Sequence, residues 1–195
     1  MTFTRIATFL AGHLLARVAV RAPDFVVGAD NPEGPYLNRW FLTPWRRWQH
    51  QLGQRAKADP TWWNRTAARL SRLLPNLYLH QFLRDDDDRA LHDHPSCGVS
   101  FILAGGYIEH TIAAGGVHHR SEFWAGSLRY LPLRHAHRIE LLRAQDGRPL
   151  PCFTLFWFGP AVREWGFHCP EQGWIHWETF TAAGKPGEIG PGCDA

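Results

Sequence analysis

The stretch that decides the fold runs from Leu91 to Tyr107, LHDHPSCGVSFILAGGY. It sets two histidines one residue apart, breaks at Pro95, continues through an apolar run and ends on Gly105–Gly106. A strand presents residues i and i+2 on one face, so His92 and His94 project together. Two imidazoles fixed on one strand make half of a transition-metal site. The spacing alone is weak, because 12 histidines among 195 residues produce roughly one His-x-His by chance. A second pair, His135 and His137, lies downstream. In HAHRIEL (135–141), His137 shares parity with Ile139 and Leu141 and points to the apolar side. His135 falls in the turn after Pro132.

Short segments rich in β-branched and aromatic residues recur on both sides of this stretch, separated by Gly or Pro: LYLHQFLR, ALHDH, VSFILA, YIEHTI, SEFW, SLRYLPL, AHRIELL, CFTLFWFG and REWGFH. That spacing predicts an all-β sandwich or barrel rather than alternating βαβ units. No G-x-G-x-x-G, P-loop or G-x-S-x-G is present, so dinucleotide binding, nucleotide triphosphate binding and a nucleophile elbow have no support. The first 74 residues read differently. Ile6, Phe9, Leu10, Leu14 and Val18 share a helical face that packs on the body of the protein. APDFVVGADNPEGPY reads as loop with one short strand. TWWNRTAARLSRLL has helical character, and the surrounding Trp/Arg-rich segment reads as a core flap with amphipathic arginine stems. The run Asp85–Arg89 reads as a solvated turn.

Composition sets the outer bounds. The hydrophobic fraction is 45%, the charged fraction 20% and the formal net charge +3, which suits a globular chain and gives no footprint for nucleic acid. No run reaches the length of a membrane span, and the N-terminus is a poor export signal. A cytoplasmic location is expected. The four cysteines, Cys97, Cys152, Cys169 and Cys193, form no C-x-x-C pair and are expected to be reduced thiols.

These features resemble the cupin superfamily. Its first motif has the form G-x5-H-x-H-x3,4-E-x6-G. His92 and His94 fill the histidine pair and Gly105 the closing glycine. Its second motif has the form G-x5-P-x-G-x2-H-x3-N, and Gly126, Pro132 and His137 match it. The flanking segments are also similar to small, mostly uncharacterised cupins of bacteria and phages. The resemblance implies a double-stranded β-helix (jelly-roll) over 75–180, a partly helical N-terminal arm over 1–74 and a C-terminal tail over 181–195. Four positions depart from the motifs. Asp86 stands at the opening glycine, Gly98 or Val99 at the glutamate, Arg134 at the middle glycine and Leu141 at the terminal Asn. What is left is a three-histidine ligand set, His92, His94 and His137, similar to that of thiol dioxygenases. Gly98 is expected to leave space where the glutamate would stand. Glu109, Glu122 and His135 are candidates for a fourth ligand.

The resemblance implies a metal-dependent enzyme, a small-molecule dioxygenase or hydroxylase with an Fe(II)-type centre; Zn, Ni, Mn and Cu also suit imidazole. The alternatives are a non-catalytic cupin binding a small ligand or saccharide, and a Zn-dependent sugar isomerase. His168 and His80 are candidate proton donors or acceptors. Tyr107, Trp165 and Trp174 are candidates to stack on a substrate, and Arg129 to pair with an anionic group. The neutral ligand set favours a small anionic substrate. A homodimer through part of Met1 to Trp40 is expected from the need to cover edge strands.

Overall fold

The computed structural model describes residues 3–86, 90–182 and 188–194; residues 87–89 of the acidic run lie outside them. The sequence alternation becomes twelve strands: β1 Phe25–Val27, β2 Leu37–Phe41, β3 Asn76–Phe82, β4 Leu91–His92, β5 Gly98–Ala104, β6 Gly106–Ile112, β7 His118–Trp124, β8 Leu128–Leu131, β9 Arg138–Leu141, β10 Cys152–Phe158, β11 Gly166–Cys169 and β12 Gly173–His176. All pairings are antiparallel. One sheet has the order β1-β2-β3-β10-β5-β8; two smaller ones have the orders β12-β11-β4 and β7-β6-β9. A backbone bridge between His92 and His137 links the two smaller sheets, so the strands form two layers. Among the described residues no strand pairing joins one layer to the other.

Each face of the large sheet has its own occupant, which explains its unbroken apolar runs. Odd residues of β5, Phe101 and Leu103, face outward with Leu79 of β3 and Trp40 of β2. Helix α1, Phe3–Val18, covers them: Ala7 and Ala11 are buried there because small residues allow close approach, and Ile6, Leu10, Leu14 and Val18 pack around them. Even residues of β5 and β10 face inward. Ile102 and Cys152 meet Tyr107, Ile139 and Leu141 of the opposite layer. A residue buried on both sides of a sheet loses the polar alternation of a half-solvated strand.

The N-terminal 74 residues are more than a cover, since β1 and β2 extend the large sheet beside β3. Helix α3, Trp62–Ser71, starts where Thr61 accepts a hydrogen bond from the backbone N–H of Asn64. Helix α2, Arg46–Ala58, was not visible in the sequence because it lacks an apolar stripe. Its buried residue is polar: the Gln49 amide donates to the carbonyls of Ser71 and Leu74 at 2.6 and 3.3 Å and closes the end of α3. After the last strand, α4 (Trp177–Phe180) lays Phe180 flat on Phe167 of β11, ring centroids 3.7 Å apart. Cys169 and Cys193 form a disulfide that ties the C-terminal segment to β11. The expectation of four reduced thiols is corrected for this pair. Their separation of 24 residues carries no sequence signature, and only the fold brings them together. Cys97 and Cys152 are free.

Two turn positions hold the second motif in shape. Gly126 has φ +94°, and a Cβ there would lie 2.9 Å from the Thr4 backbone nitrogen, so α1 rests directly on it. Arg134, at the motif's missing glycine, has φ +73°. It is the third residue of a turn closed by the His135 N–H donating to the Pro132 carbonyl at 3.0 Å, a geometry that favours glycine. Left-handed backbone costs a residue with a Cβ about 1 kcal/mol or more. Arg134→Gly is therefore expected to raise unfolding free energy by about 1 kcal/mol, measured by urea denaturation, with metal content unchanged.

Candidate metal centre

The backbone builds the cluster first. His92 N–H donates to the His137 carbonyl and His137 N–H to the His92 carbonyl, each at 2.9 Å. Such a reciprocal pair sets two side chains on the same face of neighbouring strands. His94, two residues on, joins them. The three ring centroids are 4.9–5.2 Å apart. One nitrogen from each ring lies within 4.8 Å of the others, and His94 Nε2 and His137 Nε2 approach to 2.9 Å. Two imidazoles on adjacent positions of one cation, each bound at about 2.0–2.1 Å, come about this close. The donor set therefore fits a single divalent transition metal.

Asp93, between the two histidines, points the other way and is fully buried. Its carboxylate accepts from the Gly166 backbone N–H at 3.0 Å and from Trp174 Nε1 at 3.2 Å, and pairs with Arg163 at 2.8 Å and with His168 Nε2 at 3.0 Å. This network locks β4 against β11. Sequence reading missed it, although the alternation that places two histidines on one face places Asp93 on the opposite one.

Charge follows burial. Desolvation pushes His92 down to about 4, against the opposing pull of Asp86. Burial, aided by the neighbouring His92 and His137, puts His94 well below the ordinary imidazole range. Both are neutral at pH 7, the form that binds metal. His137 directs its Nδ1 to Glu109 Oε1 at 2.8 Å. Glu109 also takes His135 Nε2 at 3.1 Å and pairs with Arg129. Burial alone would raise its carboxyl; the hydrogen bonds from His135 and His137 and the nearby positive charge outweigh that and hold it well below the carboxylate range. A carboxylate behind a ligating imidazole fixes its tautomer and orientation. Glu109, His135 and His137 also form a second possible cation group, but it would spend the His137 nitrogen that faces Glu109.

The structure distributes the other expected site residues unevenly. Tyr107 and Trp165 line the cavity in front of the cluster. Trp165 stacks on Trp177 with its centroid 6.4 Å from that of His92, while Tyr107 is buried among Phe82, Ile139 and Leu141. His80 lines the cavity too, stacked between Tyr78 and Phe156. Burial and the adjacent Arg39 put it well below the usual histidine range. Arg129 is taken up by Glu109 and lies over Phe123 at 4.0 Å. His168 and Trp174 are not brought to the cluster but lie on the Asp93 side of β4. Glu122 is exposed on β7. His118 directs Nε2 to His110 Nδ1 at 2.9 Å, and His110 meets Glu140 at 2.8 Å.

Gly98 requires a correction. It leaves no space for a missing carboxylate, since a Cβ there would lie 2.7 Å from Phe156 Cζ. The Phe156 ring, 6.3 Å from that of His94, fills the position, and the cluster gains an apolar wall. Gly98→Ala is expected to destabilise the fold by about 1–3 kcal/mol through overpacking, read from thermal unfolding.

No family model and no curated protein matches the chain. Among solved structures, it is similar to a Bacillus subtilis oxalate decarboxylase studied for its Mn(II) centres, with 19% identity over 52% of this chain and 26% of that one and a TM-score of 0.35. It is also similar to oxalate oxidase in complex with glycolate, with 13% identity over 57% and 51% and a TM-score of 0.39. A third is the DMSP lyase DddQ from Ruegeria pomeroyi, with 20% identity over 44% and 38% and a TM-score of 0.32. The matches span from about a quarter to about half of those chains. The two histidine-bearing segments singled out in the sequence meet in one cluster between antiparallel strands, an arrangement that resembles the cupins. No helix among the described residues is long and apolar enough to cross a membrane.

The buried neutral histidines make stability depend on pH. Unfolded imidazoles take up protons near pH 6.5, whereas folded His92 does so only near pH 4 and His80 and His94 also resist. Between these values the unfolded chain binds more protons, so stability rises with pH. The metal-free protein is expected to lose stability as pH falls from about 6.5 to 4, His92 alone contributing about 1.4 kcal/mol per unit over that window. Its melting temperature across that range measures this.

Proposed function

We propose that the chain is a metal-dependent enzyme in which His92, His94 and His137 hold one divalent cation, Fe(II) in the first instance, and that it oxygenates a small anionic substrate. The observation that supports this is the composition of the cluster: three imidazoles, that of His137 buried and those of His92 and His94 half-buried, with Phe156 where a carboxylate ligand would otherwise stand. A metal bound by neutral ligands keeps its full positive charge and its open positions for an incoming anion and O₂.

The residues around it support the same reading. Glu109 accepts the Nδ1–H of His137 and so keeps the opposite nitrogen free as a ligand. Asp86 stands 3.6 Å from His92 Nδ1 and favours the equivalent arrangement there. Phe156 and Phe158 pack beside His94 and exclude water from that side. Trp165 closes the His92 side and offers an apolar face to a substrate. The cavity in front, about 1430 Å³, gives the substrate access. A homodimer through part of Met1 to Trp40 belongs to the same proposal; the Cys169–Cys193 disulfide removes the reduced-thiol argument for a cytoplasmic location.

Metal analysis of the protein purified without chelator, combined with O₂ uptake in the presence of small thiols and carboxylates, tests it. Stoichiometric iron with substrate-dependent O₂ uptake is the expected result. Stoichiometric zinc without O₂ uptake would redirect the reading to Lewis-acid chemistry, and absence of any metal would leave a binding module. His92→Ala, His94→Ala and His137→Ala are each expected to lower metal content at least ten-fold while the far-ultraviolet spectrum stays native. His135→Ala is expected to retain most of the metal. Loss of metal in His135→Ala with retention in His92→Ala and His94→Ala would place the ion at Glu109, His135 and His137.

A further inference from the structure

The cavity is walled by more than the cluster. Strand β2 and helix α2 of the N-terminal arm contribute Arg39 and Arg46. Of the other cations on this wall, Arg143 pairs with Asp85, Arg72 with Glu164 at 3.2 Å and Lys57 with Glu178 at 3.7 Å, while Arg84 donates to the carbonyls of Gly34 and Asp85 at 3.1 and 3.4 Å. Arg39 and Arg46 pair with no carboxylate among the described residues. Arg39 Nε donates to the neutral His80 Nε2 at 2.9 Å, and Arg46 Nε donates to the Tyr78 hydroxyl at 2.8 Å. Each guanidinium is thus fixed through Nε, and its Nη donors are left to the cavity. Both lie near one ring, with Cζ 5.0 Å and 6.0 Å from the Tyr78 centroid.

Two like charges in a half-buried wall repel one another and lose hydration, and both costs need an anion to offset them. Burial and the charge of Arg46 both pull the Arg39 guanidinium below its ordinary value. Guanidinium forks with free outer edges match carboxylate and phosphate oxygens bidentately. The clamp and the cluster flank one side chain: Phe158 lies 6.2 Å from Tyr78 and 6.5 Å from His94, centroid to centroid. The cavity volume of about 1430 Å³ exceeds the roughly 300–1,000 Å³ of ordinary small-ligand sites. It has room for a molecule that reaches from one to the other. Arg129 is unsuited to this task because Glu109 already occupies it.

We propose that Arg39 and Arg46 form an oxyanion clamp that takes a carboxylate or phosphate group of the ligand, while the ligand's other end reaches the histidine cluster. Only the second half rests on the metal reading given above. The clamp makes the arm part of the binding site, and it makes the ligand a molecule with an anionic group several atoms away from its reacting end.

Isothermal titration of the full-length, chelator-treated protein with inorganic phosphate and with succinate, in chloride-free buffer, tests the clamp without the metal. Saturable binding of at least one probe is expected; the tighter of the two identifies the oxyanion. Arg46→Gln is expected to weaken it about ten-fold or more, the value of one charge-assisted pair. Arg39→Gln/Arg46→Gln together should abolish it. Arg47→Gln, which removes a partner of Asp24 outside the cavity, should leave it unchanged. The clamp is overturned if neither probe binds, if the double variant binds as wild type does, or if Arg47→Gln weakens binding equally. Should the double variant fail to fold, Arg46→Lys decides: it keeps the charge but not the fork, so an intermediate loss is expected and unchanged affinity overturns the clamp. Metal content of Arg46→Gln separates the two readings. Failure of the clamp leaves metal bound without probe binding, and failure of the metal site leaves probe binding without metal.

Discussion

The reciprocal backbone bridge between His92 and His137 is the constraint on which the site depends. Two hydrogen bonds of 2.9 Å fix the distance between β4 and the start of β9, join the two smaller sheets into one layer and set two imidazoles side by side. The third imidazole follows from strand parity, and the tautomer of one follows from Glu109. Rigid backbone, rather than flexible side chains reaching inward, defines the cage. A site built this way loses little conformational freedom when a ligand arrives.

Most of the fold was legible because hydrophobic alternation is local. Every strand from β3 to β11 could be read from short apolar or alternating runs, and His137 was distinguished from His135 by parity with Ile139 and Leu141. The elements that escaped are those whose reason to exist lies elsewhere in the chain. Helix α2 is held by the polar Gln49 on carbonyls more than twenty residues away. Strand β2 has a single inward arginine where an apolar residue would have announced it. The Cys169–Cys193 pair depends on the path of the C-terminal segment. Gly98 misled for a related reason: a glycine in a sequence looks like space, and only the register of β5 against β10 puts the Phe156 ring there. Arg134 did the reverse. The residue departs from the motif, yet the backbone keeps the motif's left-handed turn.

Histidine illustrates why composition says little about chemistry. His80 and His168 have similar sequence surroundings, each on a strand near an aromatic residue. One faces the cavity, where it accepts a hydrogen bond from Arg39. The other faces a buried aspartate on the far side of β4. The difference is a matter of which face of which layer each occupies, and it separates a residue that organises the cavity wall from one that fastens two strands.

The disulfide between Cys169 and Cys193 has a consequence for the cage at the other end of β11. That strand pairs with β4 through Phe167 and His92, and its far end is held covalently to the chain's last described residues. Closing a loop of 24 residues removes freedom from the unfolded chain worth about 3 kcal/mol, and in the folded state the tie falls on the layer that carries the histidine cluster. The resistance of this layer to thermal opening is thereby tied to the thiol–disulfide balance of its surroundings. In a reducing medium that tie is lost, and the layer that carries the histidine cluster would open more readily.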